Sequence, residues 1–302
     1  MAAVDQMVSN GASKAGSGKD AVKVVFIASA SHSGSTLLDL LLNAHPDMVS
    51  VGELKQLGRY ANFARKRGRI PQCTCGAPSL AECPFWGKVG ALTEARAGQS
   101  LGELNVENYD DRASFDRDNI VLFSAIADSA GKRFIVDSSK NADRLERLLA
   151  DPGLDVFPVF LLRDPKGQIC SSLRKNNVNT WLGKNTYGLL RLIKNYVGTN
   201  RKIYGLVKDR THAVIRYEEL AANPERTLTP LMQDLGLAFH PDQLQWAAKE
   251  RHNISGNRMR FGASSEVRLD EHWRDELTLA QRLAIDAGTF AGRYPFVKLG
   301  LR

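Results

Sequence analysis

The chain alternates short apolar runs with segments whose apolar residues recur at helical spacing. Residues 22–28 form a β-branched, nearly continuous apolar run, which is typical of a strand buried on both faces of a parallel sheet. After a loop of small residues, the leucines within residues 37–42 predict a helix that ends before Pro46. This part of the sequence therefore predicts a strand, a loop and a helix in that order.

The same order of strand and helix recurs three times further along the chain. The further strand candidates are residues 133–137, 156–162 and 213–217. Helices are predicted after them, near Leu145, after Pro165 and around Pro224. Strands that alternate with helices indicate right-handed crossovers and a parallel sheet. The expected fold class is therefore α/β, a central parallel sheet flanked by helices.

The domain organisation follows from where this pattern begins and where it weakens. Residues 1–20 mix Gly, Ser, Ala and Lys without periodicity, so they cannot bury enough apolar surface to offset their ordering entropy, and a disordered tail is expected. Residues 21–302 are expected to form a single domain, because α/β units of this size are common. Within that domain, residues 54–130 are predicted to be an insertion of helical fragments and loops.

Composition and charge narrow the class of protein. With 43% hydrophobic and 25% charged residues, the chain is neither collagen-like, nor a coiled coil, nor disordered. It has no apolar run near the about 18 to 20 residues that span a bilayer, and its start lacks the pattern of a signal peptide, so a cytoplasmic location is expected. The formal net charge of +8 favours an anionic partner, without choosing among nucleic acid, a membrane surface and a phosphorylated small molecule.

The four cysteines are too few for a disulfide scaffold and are consistent with a reducing compartment. Cys73, Cys75 and Cys83 form a cluster in the sequence, and Cys170 stands apart. Three thiolates are one ligand short of a structural zinc site, and no His lies at a supporting spacing. Buried, reduced thiols are therefore expected, with a disulfide and a metal site left open as alternatives.

The loop after the first predicted strand is built of small residues, among them Ser33, Gly34, Ser35 and Thr36. Such residues let backbone amides approach a phosphate closely, and the N-terminus of the following helix adds partial positive charge. The nucleotide-kinase loop GxxxxGK[ST] lacks both its first Gly and its Lys here, which removes the main support for ATP or GTP chemistry. A turn that merely caps the helix is the alternative.

A second anion site is predicted after the strand at residues 156–162. Arg163 follows that strand, and Ser171 lies eight residues later, inside the next helix. A guanidinium at the strand end and a hydroxyl two helical turns later can bind one phosphate together, because Arg offers a planar fork of donors. Since both loops lie at the carboxyl edge of the sheet, they suggest a nucleotide with two separate phosphates.

With these motifs the chain resembles PAPS-dependent sulfotransferases, and most closely their bacterial, tyrosyl-protein and carbohydrate branch. Residues 33–37 resemble the 5′-phosphosulfate loop, and Arg163 with Ser171 matches the 3′-phosphate motif RxPxxxxxS. The resemblance implies a P-loop NTPase-like sulfotransferase fold, PAPS as co-substrate, 3′,5′-ADP as product and no metal requirement. The nucleotide-binding residues that it implies are Ser33, Gly34, Ser35, Thr36, Leu37, Arg163, Ser171, Tyr217, Arg258 and Arg260.

The resemblance also implies three catalytic residues. Glu53 matches the glutamate that serves as base in this branch, with a glutamate that caps a helix near Leu54 as the alternative. Lys140 would neutralise the bridging oxygen as 3′,5′-ADP departs, with a surface lysine as the alternative. His32 stands where most relatives have Lys or Arg; a dianionic ligand would favour its protonated form, and an imidazole bonded to the backbone is the alternative.

The expected function is in-line transfer of the sulfuryl group of PAPS to a hydroxyl or amine. Small molecules, carbohydrates and peptides are the expected acceptors, with residues 54–130 on the acceptor side; nucleic acid and a membrane span are not expected. Two alternatives are a divergent P-loop kinase that uses ATP and magnesium, and a non-catalytic basic module that binds nucleotide or RNA. Dispersed Lys and Arg without interleaved aromatics argue against the latter. The oligomeric state and the acceptor are left open.

Overall fold

The computed structural model describes residues 22–62, 73–175 and 186–297, and the predicted tail at 1–20 lies outside them. The described residues contain a five-stranded sheet in the order β2-β3-β1-β4-β5, and every neighbouring pair is parallel. The strands are β1 (Lys23–Ser29), β2 (Met48–Ser50), β3 (Phe134–Lys140), β4 (Asp155–Leu162) and β5 (Ala213–Arg216). The predicted α/β class with a central parallel sheet is confirmed.

Helices connect the strands and cover both faces of the sheet. They are α1 (Ser35–Asn43), α2 (Leu57–Asn62), α3 (Pro84–Ala97), α4 (Arg112–Ala130), α5 (Ala142–Ala150), α6 (Pro165–Lys175), α7 (Thr186–Val207), α8 (Tyr217–Ala222), α9 (Pro224–Asp234), α10 (Trp273–Glu276) and α11 (Leu279–Val297). Short 3₁₀ helices span Leu54–Gln56, Pro241–Ala248 and Arg258–Phe261. The segment predicted as an insertion thus carries α2, α3 and α4, whereas the division into one domain stays a prediction.

Three elements differ from the sequence prediction. The strand predicted at residues 133–137 continues to Lys140 in β3. The sequence pattern gave no sign of β2, because a strand of three residues is too short to show a periodicity. The strand predicted at residues 213–217 ends at Arg216, and Tyr217 instead begins α8. The reason is local: Glu218 and Glu219 occupy the first turn of this helix, where the macrodipole favours negative charge.

β1 is the centre of the core, and its side chains alternate between two apolar layers. Val24 and Phe26 pack into the layer that contains α4 and α5, while Val25 and Ile27 pack into the layer that contains α1 and α9. All four are fully buried, and each contributes about 1.5 to 3 kcal/mol through burial. Burial on both faces is what the continuous apolar run predicted.

The order of the strands places one crevice at the carboxyl edge of the sheet. From β1 the chain runs to β2 and β3 on one side and later to β4 and β5 on the other, so the direction of winding changes at β1. Ligands of open α/β sheets bind at such a switch point. The ends of β1, β3 and β4 meet there.

Within the described residues, no helix has the length and apolarity needed to cross a bilayer.

Candidate active site

The loop between β1 and α1 turns sharply at two residues in the left-handed region. His32 has φ +66° and Gly34, the N-cap of α1, has φ +90°. The helix starts at once, with Leu38 N–H donating to Gly34 O at 3.2 Å. Gly34, Ser35 and Thr36 line the crevice at the start of α1, where the first amides of a helix have no partner within the helix.

The two predicted phosphate motifs are in direct contact. Arg163 donates from Nη1 to His32 O at 2.9 Å, and its guanidinium lies 4.4 Å from the centre of the Tyr217 ring. Ser171 Oγ lies 3.2 Å from His32 Nδ1. Gly34, in the same loop, lies directly against the Tyr217 ring. Arg163, just after β4, and side chains of α6 and α8 therefore hold the loop that follows β1.

Asp270 is a partner of Arg163 that the sequence did not reveal. Arg163 Nη2 lies 3.0 Å from Asp270 Oδ2 and donates to Asp270 O at 3.1 Å. Burial alone would raise the pKa of Asp270, but hydrogen bonds from His272 and Arg163 and the charge of Arg163 outweigh it and hold the pKa well below its usual range. Asp270 N–H also donates to Tyr217 Oη at 3.1 Å, and burial raises the pKa of Tyr217.

The opposite wall of the crevice carries Glu53 and Lys140. Lys140 ends β3 with φ +65°, and its ammonium donates to Glu53 Oε1. Both side chains are largely buried. The backbone of Glu53 is held in place, because its N–H donates to Ile254 O at 3.1 Å. The residues predicted as base and as leaving-group cation thus form one ion pair.

Residues 252–274, called the C-terminal segment below, contact the N-terminus of α1. Asn257 N–H donates to Thr36 Oγ1 at 3.2 Å, and Arg258 lines the crevice. Arg260 is buried and donates from Nη1 to Gly256 O at 3.3 Å. Among the described residues that line the crevice, Arg260 is absent, although the sequence analysis expects it to bind the nucleotide. Its hydrogen bond to Gly256 O instead connects two residues of this segment.

Together these residues enclose a cleft of about 1290 Å³. The predicted site residues that line it are His32, Gly34, Ser35, Thr36, Leu37, Glu53, Lys140, Arg163, Ser171, Tyr217 and Arg258. Ser33, in the same loop, is buried and is not part of the lining. Segments far apart in the chain thus meet in one cleft, as the sequence predicted for Gly34 and Arg163.

The charge of the cleft is strongly positive. Among the described residues, the lining includes eight Lys and Arg against three acidic residues, Glu53, Asp143 and Asp270. The basic ones are Lys55, Arg59, Lys140, Arg163, Arg174, Lys202, Arg258 and Arg268. Because low-dielectric walls focus the field of such a cleft, it attracts an anion that carries several charges.

Comparison with known proteins identifies the family to which the chain belongs. A family model described as the sulfotransferase family matches residues 24–241, well over half of the chain. The chain belongs to the sulfotransferase family. It is therefore an enzyme that transfers a sulfuryl group, as the motifs predicted. A comparison with curated protein sequences found no match.

Solved structures show the fold of this sulfotransferase. The sulfotransferase domain of the olefin synthase from Synechococcus PCC 7002 is 20% identical, with a TM-score of 0.54 over 91% of this chain and 97% of that one. The sulfotransferase domain from the curacin biosynthetic pathway is 18% identical, with a TM-score of 0.51 over 88% of this chain and 96% of that one. The predicted sulfotransferase fold is confirmed.

A buried polar network supports the Glu53 and Lys140 wall of the sulfotransferase. Asp39, on α1, accepts from Ser50 Oγ through one oxygen and from Asn253 Nδ2 at 2.6 Å through the other. Burial raises the pKa of Asp39 from 3.8 to about 7, and the hydrogen bond from Ser50 offsets only part of that rise. α1, β2 and the C-terminal segment are thus joined at one carboxyl group.

This raised pKa predicts a pH dependence of stability. The folded protein keeps a proton on Asp39 that the unfolded chain releases near pH 4, so the associated stability is complete below that pH and is lost as the pH rises through about 7. We expect Asp39→Asn to reduce the fall in unfolding free energy between pH 5 and pH 8 by on the order of a few kcal/mol. Urea unfolding at both pH values measures it. Asp209→Asn, an exposed control, should keep the wild-type slope, and an unchanged slope in Asp39→Asn would contradict the prediction.

Proposed function

We propose that this sulfotransferase uses PAPS as donor, releases 3′,5′-ADP and acts on a hydroxyl or amine acceptor. The observation that carries the proposal is the convergence of the loop after β1, the Arg163 and Ser171 pair and the Glu53 and Lys140 pair on one cationic cleft. The sulfotransferase family implies PAPS as co-substrate. The excess of Lys and Arg in the lining fits a donor with a sulfonate and two phosphates.

The loop and the arginines are proposed to hold the donor. Backbone amides at the start of α1, with Ser35 and Thr36, would bind the 5′-phosphosulfate end. Arg163, Ser171 and Arg258 would bind the 3′-phosphate. Since Arg163 already contacts Asp270, a phosphate at that place would take over a guanidinium edge that Asp270 now occupies. Charge-assisted bonds of this kind contribute about 1.5 to 3 kcal/mol each.

The ion pair on the opposite wall is proposed to handle the reaction itself. The acceptor hydroxyl loses a proton as its oxygen bonds to sulfur, and Glu53 would be the carboxylate that takes that proton. Lys140 brings a positive charge to the same wall, where it would stabilise the oxygen that leaves with 3′,5′-ADP. His32 contacts Ser171, so its imidazole joins the loop to the 3′-phosphate motif.

Calorimetry tests the identity of the donor. We expect 3′,5′-ADP to bind at least about tenfold more tightly than ATP with magnesium, because only 3′,5′-ADP carries the second, separate phosphate. A screen of acceptors with labelled PAPS, without added magnesium, should then find sulfuryl transfer. Tighter binding of ATP with magnesium, or transfer of phosphate in place of sulfate, would favour the kinase alternative and contradict the proposal.

A further inference from the structure

A second cluster of reactive side chains lies outside the cleft. The three cysteines that the sequence left one ligand short are joined by His252, which follows Cys83 by 169 residues. The three sulfurs and one ring nitrogen all lie within 4.8 Å of one another. Cys73, Cys83 and His252 are buried, while Cys75 is exposed.

The spacing of these atoms fits a common tetrahedral centre. The sulfurs of Cys73 and Cys83 are 3.5 Å apart, those of Cys75 and Cys83 are 3.6 Å apart, and His252 Nδ1 lies 3.3 Å from the Cys83 sulfur. Zn–S bonds of about 2.3 Å and Zn–N bonds of about 2.0 Å at the tetrahedral angle place two sulfurs about 3.8 Å apart, and a sulfur and a nitrogen about 3.5 Å apart. The cluster therefore already has nearly the dimensions of a zinc site.

The surroundings of His252 orient it as a ligand. Its Nε2 lies 2.8 Å from Glu250 Oε1, so Nδ1 is the nitrogen that faces the sulfurs. Metal-bound histidines almost always donate the N–H of the other ring nitrogen to a carboxylate, a backbone carbonyl or water, and Glu250 offers such a carboxylate. The Phe85 ring stacks on the His252 imidazole with 5.1 Å between the ring centres. The backbone N–H of Trp86 donates to the Cys83 sulfur at 3.5 Å.

We propose that Cys73, Cys75, Cys83 and His252 form a structural zinc site. All four positions of a tetrahedral ion are filled by protein, which is the arrangement of structural and not of catalytic zinc. Binding would release the thiol protons, and no change of oxidation state is involved. A disulfide between Cys73 and Cys83 would use only two of the sulfurs and would not explain why Cys75 and His252 face the same centre.

The ion would stabilise the side of the cleft that carries Glu53. Cys73 pairs with Ile254 in an antiparallel bridge, and Ile254 pairs on its other side with Gly52. The N–H of Glu53 donates to the same residue, Ile254, at its carbonyl oxygen. Thr74 adds two further bonds across this seam: its hydroxyl donates to Arg251 O at 2.6 Å and accepts from the N–H of residue 253 at 2.9 Å. Zinc would therefore tie the helical insertion to the strand end that carries Glu53 and to the segment that lines the donor cleft.

Metal content tests the proposal directly. Tag-free, full-length protein, purified under reducing conditions without chelator, should contain about one zinc ion per chain by plasma mass spectrometry. Cobalt in place of zinc should give the thiolate-to-cobalt absorption of a tetrahedral site. Cys75→Ser and His252→Asn should each lose most of the bound metal and unfold at a lower temperature, whereas Cys170→Ser, which alters a cysteine outside the cluster, should keep the full ion.

The measurement on the unaltered chain does not depend on whether the variants fold. Protein that holds less than about a tenth of an ion per chain, even after incubation with zinc and reductant, would overturn the proposal. So would a Cys73–Cys83 disulfide in protein whose thiols were blocked at lysis, or equal metal loss in Cys170→Ser. The outcome is independent of the donor, because metal content is measured without PAPS.

Discussion

Replacing Glu53 with glutamine is expected to lower turnover by about 10² to 10⁴-fold, the contribution of a positioned general base. The amide keeps the size of the side chain and an oxygen that accepts from Lys140, but it cannot take the proton of the acceptor hydroxyl. The affinity for 3′,5′-ADP should change little, since the proposed donor contacts come from the loop after β1 and from Arg163. Turnover is measured with labelled PAPS, and affinity by calorimetry.

Glu94→Gln is the matched control for this substitution. Glu94 is exposed on α3 and does not line the cleft, so its variant should keep full turnover. If Glu53→Gln transferred sulfate within about threefold of the wild-type rate, another group would have to accept the proton. If it lost turnover and nucleotide affinity together, Glu53 would hold the site in shape through Lys140 and would not act as a base.

Most strands and helices of the fold can be predicted from local patterns of apolar residues in the sequence. The buried run of β1 and the leucines of α1 each have a period or composition that one window of sequence displays, and the structure places both as predicted. β2 has only three residues and shows no period. The sequence pattern predicts Tyr217 as the last residue of a strand, but the acidic residues after it favour a helix N-terminus, and Tyr217 begins α8.

The site was predictable as far as its residues follow strands. Gly34, Lys140 and Arg163 each come just after the end of a strand or close it, and parallel strands bring their carboxyl ends to one edge. Asp270 and His252 follow no strand of the sheet; they lie in irregular segments whose positions depend on packing across the whole molecule. No spacing rule connects Arg163 with Asp270, or Cys83 with His252, because the chain between them folds as separate elements.

Gly34→Ala is expected to weaken binding of 3′,5′-ADP by about a hundredfold or more. A Cβ at this position would lie 2.3 Å from Tyr217 Cδ2, and the backbone has a φ of +90° that residues with a Cβ rarely adopt. Tyr217 cannot readily move aside, because it is buried, lies under the Arg163 guanidinium and accepts from Asp270 N–H. The left-handed strain costs about 1 to 2 kcal/mol and overpacking about 1 to 3 kcal/mol, so the loop must shift.

Gly131→Ala separates the strain of the backbone from the collision with Tyr217. Gly131 ends α4 with φ +62°, and an added Cβ meets nothing within 4 Å, so the variant carries the conformational cost alone. It should lose about 1 to 2 kcal/mol of stability and bind 3′,5′-ADP as the wild type does. For both variants, calorimetry measures the affinity for 3′,5′-ADP and thermal unfolding measures the stability. Wild-type nucleotide affinity in Gly34→Ala would mean that the loop binds the donor without its close approach to Tyr217.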